Sequence, residues 1–306
     1  MTFKEKLMSG RFVVCGELGP PQSANGGMIR KKSCHFKDVV DAVNITDNQT
    51  AIVRLSSIAA CRILLEEGVE PVMQMTCRDR NRIAIQSDLL GAWALGIRNV
   101  LCLTGDYQKF GNHPEARPVF DMDSIQLAAA VSRMNEGFLL SGDAMKTPPD
   151  FCIGAAANPF ADPFDMRLIR LEKKIRAGAH FIQTQPVFDL ERFVQWMDEV
   201  IRRGLDRRTA ILAGVMPVKS VNALRHMQEN VPGVRIDPAY IERMEKAEDP
   251  KEEGVRMALE IIREIRTLPG VRGIHLMPVM WESVTPRIIE ESGLSKQHSK
   301  ESPWTT

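Results

Sequence analysis

Eight short apolar runs punctuate this chain, each followed by a longer amphipathic stretch, and that alternation limits its fold more than any other feature. The runs are "RFVVCGE" (11–17), "AVNIT" (42–46), "PVMQMTC" (71–77), "RNVLCLT" (98–104), "FCIGAAA" (151–157), "HFIQTQ" (180–185), "AILAGVM" (210–216) and "GIHLMPV" (273–279). Near-continuous apolarity, rather than strict alternation, suits parallel strands buried on both faces. The stretches between them carry helical signals. "SSIAACRILLEEG" opens on Ser and ends on Gly, as a capped helix should. "RLIRLEKKIRAG" sets Leu168, Leu171 and Ile175 on one stripe and Arg170, Lys173 and Lys174 on the other. "LERFVQWMDEVIRRG" and "EEGVRMALEIIREIRTL" behave likewise, and glycines in "AG-AH" and "LG-IRN" close helices before the next strand. Strand then helix, eight times over, predicts an α/β fold: a (β/α)8 TIM barrel forming one domain over 1–294, with a flexible tail over 295–306. The competing architecture, a doubly wound open sheet, normally shows a glycine-rich first turn, which is missing.

Composition narrows the function classes. The 306 residues carry a formal net charge of +1, with no basic surplus for nucleic acid. No apolar run is long enough to span a bilayer, and "MTFKEKLMSGRF" lacks the apolar core of a signal peptide, so a cytoplasmic location is expected. The six cysteines form no C-x-x-C pair and read as single thiols, four of them in strand-like runs. The histidines show no zinc spacing, and neither a dinucleotide fingerprint nor a P-loop occurs.

In a barrel the carboxyl ends of the strands converge on one mouth, where active sites sit. The polar residues there are Glu17, Thr46 with Asp47 and Asn48, Gln74 with Thr76, Thr104 with Asp106, Asn158, Gln183 with Gln185, and Lys219. Buried polar groups are costly unless paired, so this ring predicts a ligand cavity. For any one of them a helix cap or loop bond is the bland alternative, most evenly balanced at Thr46, Asp47 and Asn48. The amides suit a flat heterocycle such as a pterin or flavin. A carboxyl isolated among apolar groups keeps its proton and serves as a general acid, which is the expectation for Glu17. Two long segments, 18–34 and 105–122, leave strand ends and are expected to be functional loops.

Beyond composition and spacing, the strand ends resemble a known family. "GELGPP", "MTCRDRN", "LCLTGD", "GAAANPF…EKKIRAGAHFIQTQPVFD" and "LAGVMPV" resemble, in order, the motifs of methylenetetrahydrofolate reductase, from about Arg11 to Pro217 and more weakly beyond. The chain is similar to the short, single-domain bacterial type. The resemblance implies a flavin-containing barrel that reduces 5,10-methylenetetrahydrofolate to 5-methyltetrahydrofolate in one-carbon metabolism, with hydride passing from flavin N5. Glu17 matches the general acid. Asp106 matches the aspartate near flavin and folate, and Gln185, with Gln183 beside it, the pterin-binding glutamine. The flavin-binding positions implied are Thr46, Gln74, Thr104, Gly105, Asp106, Ala156, Asn158, Asp162, Arg167, Arg170 and Lys174.

The chain also departs from the family pattern. Gln74 and Asp162 stand where relatives have His, Thr104 where they have Arg, Asn158 where an aromatic is expected, and Val221 where a Phe stacks. "GIHLMPVMWESVTPR" replaces the usual last strand. These departures predict rebuilt flavin contacts, with FAD by resemblance and FMN as the alternative. They also predict electron supply through a partner subunit, as in the versions from anaerobes. Whether the chain forms an oligomer is left open. The alternative functions are a pterin-dependent methyltransferase barrel and a non-catalytic folate-binding or electron-transfer subunit.

Overall fold

The computed structural model describes residues 1–231 and 233–295, so the expected tail beyond Ser295 lies outside the described residues. Its eight strands are β1 (Val13–Leu18), β2 (Ala42–Ile45), β3 (Pro71–Thr76), β4 (Asn99–Leu103), β5 (Cys152–Ala157), β6 (Phe181–Pro186), β7 (Ala210–Val215) and β8 (Val271–Leu276). All pair in parallel, in chain order, and β8 closes on β1 with Cys15 beside His275, completing the expected barrel. The helices on its outside are α2 (Gly27–Ser33), α3 (Ser57–Glu66), α4 (Arg82–Ala94), α5 (Ser124–Asn135), α6 (Phe164–Arg176) and α7 (Leu190–Arg202). They are followed by α8 (Val221–Asn230), α9 (Pro238–Lys246), α10 (Pro250–Thr267) and α11 (Thr285–Glu291).

The predicted stripe of α6 is real: Leu168, Leu171 and Ile175 are its buried residues. Gly96 and Gly178, which close α4 and α6, have φ of 93° and 102°, the left-handed backbone that favours glycine. Some elements lay outside the sequence expectation, among them α8 and α9 ahead of α10. The segment 18–34 is not wholly irregular but holds α2. The charged-looking N-terminus forms a further helix, α1 (Phe3–Met8), with Thr2 and Glu5 in a reciprocal capping box.

The inside of the barrel is built in two levels. At the amino end, Val13, Cys15, Ala42, Val72, Leu101, Cys152, Phe181 and Leu212 make an apolar floor. Phe3 and Leu7 of α1 plug it from below, and the Phe3 ring meets Phe181 edge to face at 5.3 Å. Room for the Phe181 ring exists because residue 154 is glycine: a Cβ there would stand 2.2 Å from the ring. Strand side chains alternate, so the next inward position on each strand lies one step nearer the mouth. On β1, β2, β3, β6 and β8 that position is Glu17, Asn44, Gln74, Gln183 and His275, and the interior turns polar there.

Candidate active site at the barrel mouth

These five side chains form one continuous chain of contacts. Gln74 Nε2 donates to Glu17 Oε2 at 3.2 Å. His275 Nε2 lies 3.4 Å from the same oxygen and 2.7 Å from Asn44 Nδ2. Asn44 Nδ2 in turn donates to Gln183 Oε1 at 2.8 Å. Glu17 and His275 keep only 12% and 5% of their side-chain surface, so the pair is screened from bulk water yet reachable from the mouth. Asn44 Oδ1 and Gln183 Nε2 are buried without a hydrogen-bond partner. The expectation of an isolated carboxyl is therefore corrected: Glu17 stands between an amide and an imidazole.

Sequence reasoning missed Asn44 and His275. Both sit inside their strands rather than at the ends. β8 runs from Val271 to Leu276 and not over 273–279, which turned attention away from His275. The signal that finds them is the two-residue inward period, counted from Ala42 and Gly273.

The other expected residues ring this centre at different heights. Thr46 is buried, and its hydroxyl has no hydrogen-bond partner. Neither Asp47 nor Asn48 caps a helix through its side chain. Asp47 accepts from Thr76 and Arg80, while Asn48, at φ 44°, accepts from the Arg54 amide. Asp106 is exposed on the rim and accepts from the Thr50 amide at 3.1 Å, with no contact to Glu17. Gly105 brings it there at φ 95°. Thr104 accepts from the Ser124 amide and so fixes the start of α5. Asn158 closes its own turn by accepting from the Phe160 amide. Asp162 accepts from Arg192 through its side chain and from Arg167 through its carbonyl. Lys219 donates to the Met280 carbonyl in the loop after β8. Gln185 sits in an irregular step of β6 between Gln183 and Pro186, where the register to β7 shifts. Such steps re-aim side chains at barrel rims.

A basic cluster borders the mouth at β5. Lys174, from α6, donates to the carbonyl of Ala156 at 2.6 Å. Burial, and then the neighbouring Arg170 and Arg167, push this ammonium down to about 8, against the opposing pull of Asp123. Arg170 reaches Asp123 at only 3.9 Å. A cleft lined by Thr104, Phe120, Met122, Asp123, Gln126 and Lys173 opens beside it. Crowded cations of this kind favour a bound anion.

Five cysteines are buried and Cys34 is exposed, all with free thiols. Among the described residues no cluster of metal-ligating side chains occurs, and no helix is long and apolar enough to cross a membrane.

The chain is 27% identical over 235 residues to methylenetetrahydrofolate reductase 1 of Schizosaccharomyces pombe, covering 74% of this chain and 36% of that protein. It is 26% identical over 217 residues to 5,10-methylenetetrahydrofolate reductase of Escherichia coli, covering 68% of this chain and 65% of that one. The chain thus matches less than two thirds of the length of either relative. Among solved structures, an uncharacterized Clostridium thermocellum protein that binds two copies of 5-methyl-5,6,7,8-tetrahydrofolic acid superposes with a TM-score of 0.65. At 15% identity, over 96% of this chain and 97% of that one, it bears on the fold alone. The methylenetetrahydrofolate reductase family profile matches residues 2–293, and the chain belongs to that family.

Proposed function

We propose that this protein reduces 5,10-methylenetetrahydrofolate to 5-methyltetrahydrofolate with a bound flavin, Glu17 acting as general acid. The observation that carries this reading is the placement of Glu17. Its carboxyl ends an apolar strand and rests on a dry floor, and Gln74 and His275 both meet one oxygen. A carboxyl held in this way can deliver a proton to a substrate nitrogen from a fixed position.

The surrounding residues fit a flavin. The unpartnered Thr46 hydroxyl and the Gln74 amide offer hydrogen bonds to a heterocycle at the mouth. Lys174, depressed to about 8, is a cation that a phosphate would relieve, with Arg170 and Arg167 beside it. When bound, the reduced flavin supplies the hydride; the barrel's part is to orient the reactants and manage the proton. Gln183 and Gln185 would hold the pterin by its amide edge. Asp106, on the rim, would place negative charge beside the cationic carbon formed as the folate ring opens. FAD is the flavin favoured by family membership; extraction and identification of the bound cofactor decides between it and FMN.

Electron supply through a partner subunit follows from the departures at Gln74, Thr104 and Asn158. The exposed Val53 and Phe110 on the loops after β2 and β4 give such a partner an apolar rim to meet. Brisk turnover with NADH alone, compared with a reduced viologen dye, would remove this part of the proposal.

The test of the acid is Glu17→Gln. It is expected to keep the flavin and its reduction by donor while losing folate reduction by about a hundredfold or more. Continued folate turnover, or loss of the flavin, would end the general-acid reading.

A further inference from the structure

The acid is not alone in the barrel. His275 stands between Glu17 Oε2, at 3.4 Å, and Asn44 Nδ2, at 2.7 Å. The amide that touches it is linked to a second amide, Gln183, at 2.8 Å. Each of these amides has one buried atom without a hydrogen-bond partner, Asn44 Oδ1 and Gln183 Nε2. A side-chain amide keeps its shape when its oxygen and nitrogen exchange places, but exchanges donor for acceptor.

Two arrangements of the same atoms therefore close this chain. In one, Asn44 Nδ2 donates to both Gln183 Oε1 and the lone pair of His275 Nε2. The imidazole is then neutral, and the exchangeable proton resides on Glu17. In the other, both amides are turned over. Gln183 Nε2 donates to Asn44 Oδ1, which also accepts from a protonated His275 Nε2, and Glu17 is a carboxylate that accepts from the same imidazolium. Each arrangement leaves two amide atoms unpartnered, and the second adds an imidazolium–Glu17 contact to the two bonds of the first, so neither is excluded by packing. The other titratable group facing the imidazole inside the barrel is the Cys15 thiol, which burial holds well above its usual range. β2, β6 and β7 present Asn44, Gln183 and Gly214 to this level, and none of them titrates.

We propose that His275 is the second seat of the acid's proton, and that the Asn44–Gln183 amide pair turns over with it. No redox change or co-reactant is involved. One proton moves between Glu17 Oε2 and His275 Nε2, and it leaves the pair through Glu17 when a substrate nitrogen accepts it. The imidazole thus gives the acid's proton a second seat within the barrel, 3.4 Å from the first. His275 is a proton-storing and positioning residue, and its role in turnover rests on the reading of Glu17 as the acid.

The experiment has two readouts on the flavin-loaded protein. The first is the ¹⁵N spectrum of histidine-labelled protein, with His275 assigned by its loss in His275→Gln. The Nε2 signal is expected to move with pH in the wild type and to lock as one neutral tautomer in Glu17→Gln. The second is the two half-reactions of His275→Gln, followed from acid to alkaline pH. Reduction of flavin by donor should match wild type. Reoxidation by methylenetetrahydrofolate should fall by at least about tenfold, with the loss growing as pH rises. A merely structural role would lower both half-reactions or release the flavin. An Nε2 signal indifferent to Glu17→Gln, or a folate half-reaction in His275→Gln with the wild-type pH profile, overturns the proposal. A wild type that shows the coupled Nε2 signal but turns over no folate counts against the reductase reading and leaves the proton pair standing.

Discussion

Arg80 closes on both carboxylate oxygens of Asp47, at 2.7 and 3.2 Å, while the Thr76 amide and hydroxyl each reach the same carboxylate at 2.9 Å. This ties the end of β2 to the end of β3, directly beneath the mouth. Only 1% of the Asp47 side chain is exposed, so the charge depends on these partners. Asp47→Ala should cost about 1–3 kcal/mol, because it strips Thr76 and the largely buried Arg80 of their shared acceptor while Asp88 stays on Arg80 Nε at 2.9 Å. The double variant Asp47→Ala/Arg80→Leu should cost less than the sum of the singles. Urea denaturation of the three variants measures this; strict additivity would show that the two side chains do not depend on each other.

Lys174 makes the stability of the protein depend on pH in a defined direction. Its ammonium is pushed from the usual 10.5 to about 8, first by burial and then by Arg170. Below about 8 it is protonated in both folded and unfolded chains, and the cost of the buried cation is fully present. Between about 8 and 10.5 the unfolded chain holds the proton and the folded chain does not, so stability rises with pH across that window. Lys174→Met should therefore be more stable than wild type at pH near 7, with the gap closing toward 10. Denaturant midpoints at the two pH values measure this. Pyrophosphate should raise the thermal midpoint of wild type and leave that of Lys174→Met unmoved. A wild type indifferent to pyrophosphate would count against a phosphate site at α6.

Much of this architecture is legible in the sequence, and the parts that are not share a physical reason. The eight strands announce themselves because parallel strands covered on both faces must be apolar nearly throughout. Glu17, Gln74 and Gln183 stand out because they interrupt those runs. Asn44 does not, because "AVNIT" is too short for one polar residue to look exceptional. His275 does not, because "GIHLMPV" continues apolar beyond the strand and hides where β8 ends. Long-range pairing was also out of reach. No local pattern says that Arg80 would take Asp47 away from a helix cap, or that Asp106 would bind the loop at Thr50.

The N-terminal helix is a case where charge masked a core element. "FKEKLM" reads as surface, yet Phe3 has none of its surface exposed and seals the barrel against Phe181. Its amide also donates to the Glu70 carboxylate at 3.0 Å, which anchors α1 below β3. Phe3→Ala should cost about 3–5 kcal/mol, since the floor cannot collapse around the lost ring. Flavin content at the far end of the barrel should be unchanged in the folded protein. A loss below about 1 kcal/mol in urea denaturation would mean that α1 rests on the barrel without plugging it.

Gly214 packs against the irregular step of β6. Its amide donates to the Thr184 hydroxyl at 2.9 Å, and a Cβ there would stand 2.5 Å from the Thr184 carbonyl oxygen and 2.7 Å from that of Gln185. These are backbone atoms of the irregular step in β6, so they cannot rotate aside. Gly214→Ala should force that step outward at a cost of about 1–3 kcal/mol, displacing Gln185 and straining the Gln183–Asn44 contact. The expected result is a raised KM for methylenetetrahydrofolate with donor-driven flavin reduction intact. Gly91→Ala, where an added Cβ meets nothing within 4 Å, is the matched control and should leave both unchanged. Because the two substitutions add the same methyl group, a difference in folate KM between them isolates the geometry of β6. Equal KM values would show that the β6 amides do not meet the substrate.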